Sequence, residues 1–345
     1  GYTVNMIYRD ADRRRNNASL NKEVFALTGN KKIVVIGGGT GLSTMLKGLK
    51  LYTRRITAVV TVADDGGSSG MLRSDLKMPP PGDIRNCIHA LADTNPTLKE
   101  LISYRFDGGA LAGHSFGNLM LAALFGVSDS FEEAVEKMNS LCGIEGVVLP
   151  VTNEDVRLEA ELCDGTVAVG ESLIGSKHRC GAPIKSIKIL PENPEPVDRV
   201  ISAIGEADVI VMGPGSLYTS IIPNLLVRGV TEAIAASSAK KLYVCNVMTQ
   251  PGETDGYSVS EHLHAIERHS REGIVDYVIA NSTRVPAELL EKYRADGADE
   301  VLPDAENITT ARLDLSNLLW TEGDLVRHDY ISLGKRICAI ADGDL

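Results

Sequence analysis

Two patterns of apolar and polar positions alternate along this chain. Residues 33–36 are an unbroken β-branched run, the mark of a strand buried on both faces in a parallel sheet, and the mainly apolar runs at 56–62, 208–212, 242–246 and 276–280 predict further strands. Between them, apolar residues recur at three- and four-residue spacing. Leu42, Met45, Leu46 and Leu49 predict one helix; Ile84, Ile88 and Leu91 predict another, with Asp83 as its N-cap. Helical spacing continues as a pair through Tyr104, and again over 119–125, 260–270 and 286–293. Residues 147–190 change character. Short alternating runs at 147–151, 156–163, 166–172 and 184–189, separated by turn residues such as Asp164-Gly165, predict an antiparallel insertion, and a proline-rich loop at 191–196 leads back. The expected fold is α/β and Rossmann-like: a mostly parallel sheet with helices on both faces and a small antiparallel β appendage at about 147–190. Residues 1–30 are polar and irregular and read as a leader or linker, partly helical around 21–27, ahead of a single domain over 31–345.

The chemistry gathers where strands end. After the first strand comes Gly37-Gly38-Gly39-Thr40-Gly41, then a helix N-terminus. Glycines let backbone N–H groups approach a ligand, and unpaired N–H groups at a helix start favour a phosphate. Counted from Gly37, the sixth place of the dinucleotide fingerprint is Leu42, and no lysine completes a P-loop, so the turn belongs to neither common type. The second strand ends in Asp64-Asp65; alternation along the strand points the carboxylates to opposite sides, so they need not share a role. One can accept from a ribose or hold Mg²⁺ through water and the other can cap the next turn, the plain alternative being a turn with Asp as its cap. Arg85 follows the Pro79-Pro80-Pro81-Gly82-Asp83 run, where it can fork onto phosphate or pair with a surface carboxylate. Gly113-His114-Ser115-Phe116-Gly117-Asn118 opens another helix, with His114 reading as a locally hydrogen-bonded histidine. A second glycine turn, including Gly215 and Ser216, follows the strand at 208–212. Asn246 and Thr249 follow the strand at 242–246 as uncharged groups suited to a base or sugar. Polar turns at so many strand ends are poorly explained by packing alone.

The net charge of −11 argues against a general nucleic-acid binder but is no obstacle to one phosphorylated small molecule. The six cysteines form no Cys-x-x-Cys pair and suit reduced core thiols in a cytosol. No apolar run approaches the roughly 20 residues that span a bilayer. The expected location is cytoplasmic, with no membrane partner for the given chain.

Six of these blocks, in order from about Lys32 to Asp329, resemble the CofD-like superfamily and, within it, the YvcK branch of gluconeogenesis factors. The resemblance implies a Rossmann-like fold and a regulator of cell shape, wall synthesis and carbon metabolism that binds UDP-N-acetylglucosamine or a related nucleotide sugar. It further implies ligand contacts at Tyr293 and Arg327, a ring to stack on uracil and a guanidinium to fork onto diphosphate. The expected ligand residues are Gly38, Gly39, Thr40, Gly41, Asp64, Asp65, Arg85, Asn118, Gly215, Ser216, Asn246, Thr249, Tyr293 and Arg327. No cofactor is required on this reading, and a homodimer is compatible with it. The alternative is a CofD-type 2-phospho-L-lactate transferase, with Mg²⁺ held by Asp64 and Asp65.

Overall fold

The structure, a computed structural model, describes residues 30–176 and 182–343. The expected leader over 1–30 lies almost wholly outside the described residues.

A seven-stranded sheet organises the chain in the order β10-β9-β8-β7-β1-β2-β3. Its strands are β1 (Ile33–Gly37), β2 (Ile56–Val60), β3 (Val147–Pro150), β7 (Val209–Met212), β8 (Lys240–Val244), β9 (Tyr277–Asn281) and β10 (Arg312–Ser316), and every pairing is parallel. β1 is central, with Ile33 in register with Ile56 on one side and Val209 on the other. All of Ile33, Val35 and Ile36 are fully buried, as a strand covered on both faces requires. From β1 the chain builds outward through β2 to β3, then restarts at β7 and builds the other way. Right-handed crossovers running in opposite directions put the connecting helices on opposite faces and leave a switch point between the C-terminal ends of β1 and β7.

The helices are α1 (Gly39–Leu49), α2 (Gly67–Leu76), α3 (Gly82–Leu91), α4 (Pro96–Ser103), α5 (Phe116–Phe125), α6 (Phe131–Leu141), α7 (Glu171–Ile174), α8 (Asp198–Glu206), α9 (Ile222–Leu225), α10 (Val230–Ala236), α11 (Val259–Arg268), α12 (Ala287–Ala295) and α13 (Tyr330–Asp342). α1 buries Leu42, Met45, Leu46 and Leu49, each worth about 1.5–3 kcal/mol when fully removed from water. Its outer neighbour is α13. A Cβ on Gly48 would lie 1.8 Å from the Tyr330 carbonyl oxygen, so only glycine lets the two helices meet. α11 starts with a capping box in which Ser258 and Glu261 satisfy each other's backbone N–H.

Three expectations need correction. Residues 147–150 are not part of the antiparallel insertion but pair parallel with β2, because Val148 and Leu149 are buried within the main sheet. The insertion is the sheet β5-β4-β6, of β4 (Arg157–Leu162), β5 (Val167–Val169) and β6 (Ile184–Leu190), and β4 alternates exposed Arg157 with buried Leu158, Ala160 and Leu162. Residues 171 and 172, the end of a run read as strand, instead begin the short helix α7. Asp83 is not an N-cap: Pro81 holds that place and Asp83 sits within the first turn of α3. The hairpin of β11 (Leu319–Glu322) and β12 (Leu325–His328) was not expected at all. Cys87, Cys142, Cys245 and Cys338 are buried free thiols, whereas Cys163 is exposed. Among the described residues, no helix is long and apolar enough to cross a membrane.

Candidate functional site

The two glycine turns meet at the switch point. Gly38 caps α1 in extended conformation and Gly39 takes φ +68°, a region that disfavours any side chain. A Cβ on Gly41 would lie 2.8 Å from the Pro214 carbonyl oxygen, so the first turn presses directly on the second. Asn224, fully buried beneath both, donates from Nδ2 to the carbonyls of Gly37 and Ser220. Asn246 holds the second turn: its Oδ1 accepts from Gly215 N–H and its Nδ2 donates to Gly215 C=O. Ser216 Oγ donates to Gln250 Oε1 at 2.7 Å. Behind it the buried carboxylate of Glu253 accepts from Tyr218 N–H, Thr219 Oγ1 and Gln250 Nε2. Leu217–Ile221, which follows, is a π-helical turn leading into α9, where a plain α-helix was expected. Such turns concentrate at functional sites.

A cavity of about 170 Å³ opens beside these turns, lined by Gly41, Thr44, Asn246, Met248, Arg327 and His328. β12 brings Arg327 to it, and among the described residues its guanidinium has neither hydrogen bond nor ion pair. His328 donates from Nε2 to Cys245 C=O at 3.1 Å, and burial pulls its pKa down to about 4, so the ring is neutral near pH 7. Tyr293 lies behind the hairpin: its hydroxyl accepts from Val326 N–H at 2.9 Å and its ring packs on Val247, Val285, Leu290 and Val326. It therefore braces the strand that carries Arg327. Thr249 is likewise committed, exchanging hydrogen bonds with the backbone of Asp299.

On the β2 side lies a polar chain. Arg85 Nε donates to Asn118 Oδ1 (3.3 Å), Asn118 Nδ2 to Ser68 Oγ (3.1 Å), and Ser68 Oγ lies 3.0 Å from His114 Nδ1. His114 is thus hydrogen-bonded, but to a side chain 46 residues away on α2 and not locally as expected. Asp83 accepts from Gly39 N–H on the first glycine turn; burial and the neighbouring Asp64 raise its pKa to about 6. Glu171, brought in by α7, is raised to about 8 by burial and by Asp64, Glu253, Asp65 and Asp83. The adjacent aspartates do divide their roles. Asp64 Oδ1 accepts from Gly66 N–H at 2.9 Å, capping the following turn, while Asp65 Oδ1 accepts from Ser172 N–H at 2.8 Å, tying the insertion to the core. Each of these bonds engages one carboxylate oxygen, and among the described residues no three His, Cys, Asp or Glu side chains are grouped to hold a metal ion.

The structure thus brings Gly41, Asn246 and Arg327 together around one cavity, with Gly38, Gly39, Thr40, Gly215 and Ser216 on the two turns beside it. Asp64, Asp65, Arg85 and Asn118 stand on the neighbouring β2 side. Sequence reasoning missed the contributions of Glu171, Glu253, Asn224 and His328. Only the last had a local signal, its place next to Arg327.

The fold is thus a doubly wound α/β sheet whose two glycine turns meet at the switch point. Comparison with known proteins narrows it. A family profile described as 2-phospho-L-lactate transferase CofD matches residues 33–317, and the chain belongs to that family. A protein of Thermoanaerobacterium thermosulfurigenes is 50% identical over 321 residues, covering 92% of this chain and 99% of that one. The gluconeogenesis factor of Bacillus subtilis is 46% identical over 301 residues, 86% of this chain and 94% of that protein. The crystal structure of protein BH3568 from Bacillus halodurans superposes with a TM-score of 0.86 at 43% identity, covering 89% of this chain and 99% of that one.

Proposed function

We propose that this chain is a nucleotide-sugar-binding regulator of the gluconeogenesis-factor kind, taking UDP-N-acetylglucosamine at the switch-point cavity in the control of cell-wall, cell-shape and carbon metabolism. One observation carries the reading: among the described residues the Arg327 guanidinium has no hydrogen bond or ion pair, yet it lines a cavity walled by Gly41 and Asn246. A lone guanidinium facing a helix N-terminus is a two-sided receptor for a diphosphate. The names of the relatives support the regulatory role.

The rival reading is a transferase of CofD type, favoured by the family profile. It asks for a cation shared by Asp64 and Asp65, and their separate commitments to Gly66 and Ser172 weigh against it. Calorimetric titration with UDP-N-acetylglucosamine, GDP and NAD in parallel tests both. Saturable binding of the UDP-sugar alone is expected; tight NAD or GDP binding with no UDP-sugar signal would overturn the proposal.

A further inference from the structure

A second cavity, of about 220 Å³, lies at the joint between the core and the antiparallel insertion, with Arg73, Ser74 and Lys77 of α2 on one wall and Arg157 of β4 on the other. Its charge balance is uneven once commitments are counted. Asp65 and Asp155 also line it, but Asp65 accepts from Ser172 N–H and Asp155 pairs with Arg73 Nε at 2.6 Å. Arg73 is 5% exposed and donates from Nη2 to Val156 C=O at 2.5 Å, yet its buried Nη1 has no acceptor. The side chains of Lys77 and Arg157 make no hydrogen bond or ion pair among the described residues, and both residues are exposed. Two uncommitted cations and an unsatisfied guanidinium nitrogen therefore converge on a space whose carboxylates are already engaged. Packing accounts for Arg73 as the pin that fixes Val156, but not for Lys77 and Arg157 facing the same hollow unpaired.

We infer that this cavity is a second ligand site, for a small phosphate monoester, separate from the switch-point cavity. A phosphate there would accept from Lys77, Arg157 and Ser74 Oγ. It would bridge α2 to β4 and so fasten the insertion, and Glu171 with it, against the β2 side of the crevice. Such a ligand would shift the insertion by mass action, because it binds only where both walls are in place. The hollow is smaller than sites for drug-sized molecules, which suits phosphate on a short carbon skeleton.

The test is equilibrium binding of inorganic phosphate and of glucose 6-phosphate to the full chain, with citrate as an anion lacking phosphate. Saturable one-to-one binding of glucose 6-phosphate is expected, displaced by inorganic phosphate and not by citrate. Lys77→Ala and Arg157→Ala should each weaken it about tenfold, as loss of a charge-assisted bond does, and Arg327→Ala should leave it unchanged. Both are substitutions of side chains without partners, and circular dichroism verifies that the variants fold. No saturation at millimolar probe, equal displacement by citrate, or wild-type affinity in the Lys77→Ala/Arg157→Ala double variant would overturn the inference. Loss of binding in Arg327→Ala would also overturn it, by placing the probe at the switch point. Failure of UDP-sugar binding would leave this site untouched.

Discussion

Asn246 grips the backbone of Gly215 at both ends, accepting its N–H at 3.2 Å and donating to its carbonyl at 2.8 Å. The side chain therefore shapes the second glycine turn as well as lining the cavity. Asn246→Ala should cost about 1–3 kcal/mol, from two lost hydrogen bonds and the polar groups they leave behind. Asn246→Asp keeps the acceptor but sets a carboxylate beside the diphosphate. It should weaken UDP-N-acetylglucosamine more than the alanine variant while destabilising the fold no more. Urea unfolding and calorimetry read the two effects separately, and equal affinities in both variants would mean that no anion sits there.

Arg327 is expected to divide the other way. Its guanidinium has no partner among the described residues, so Arg327→Ala should change stability by less than about 0.5 kcal/mol. It should nonetheless weaken the UDP-sugar roughly tenfold or more, the worth of a bidentate charge-assisted contact. An unchanged dissociation constant would remove Arg327 from the site.

Gly41 tests the contact of the two turns. Alanine there would push Cβ to 2.8 Å from a backbone oxygen that cannot rotate away. Gly41→Ala should destabilise by about 1–3 kcal/mol and lower UDP-sugar affinity, because the turns must separate. A folded, fully stable variant with native affinity would show that the turns tolerate spreading.

Glu171 gives the chain a pH signature. Its pKa rises from the ordinary 4.5 to about 8, so the folded state holds a proton that the unfolded state releases. The Glu171 contribution to stability therefore falls as pH rises from about 4.5 to about 8 and levels off above. Asp83, raised to about 6, adds to the same trend below that pH, which leaves pH 6–8 to Glu171. Glu171→Gln should flatten this window, matching wild type near pH 4.5 and exceeding it in melting temperature at pH 8.5. A parallel pair of melting curves against pH would show that the carboxyl ionises freely.

Removal of metal separates regulator from transferase. EDTA should leave UDP-N-acetylglucosamine affinity within about threefold, a shift under roughly 0.7 kcal/mol. No product should form from a guanylyl-activated phospholactate and a deazaflavin with Mg²⁺ present. Metal-dependent product, lost in Asp64→Asn, would reverse the assignment.

The central strands were legible because runs such as Val34-Val35-Ile36 admit little besides a doubly covered parallel strand. The turns at Gly38–Gly41 and Gly215–Ser216 were legible because glycine marks where backbones meet. α2 was not, since Gly67-Ser68-Ser69-Gly70 carries no helical apolar stripe, and packing against the core overrides that poor propensity. Nor does a sequence reveal how hydrogen-bonding capacity is divided. Thr249, expected from its place at a strand end, and Tyr293, expected from the family resemblance, each also hydrogen-bond backbone groups far along the chain, which no local pattern shows. Glu171 was hidden for a related reason: only tertiary structure brings the insertion's carboxylate beside Asp64 and Asp83.

The close approach of Gly48 to Tyr330 also sets a schedule for the polypeptide during synthesis. The helix that carries the first glycine turn leaves the ribosome early, but the helix that braces its outer side is encoded almost at the far end of the described chain. At ordinary elongation rates the interval is on the order of tens of seconds. Throughout it the apolar flank of the turn-bearing helix lacks its cover, and β7, the strand beside it, arrives only midway. A message truncated before that helix would therefore yield a polypeptide whose turn-bearing helix stays uncovered on its outer side.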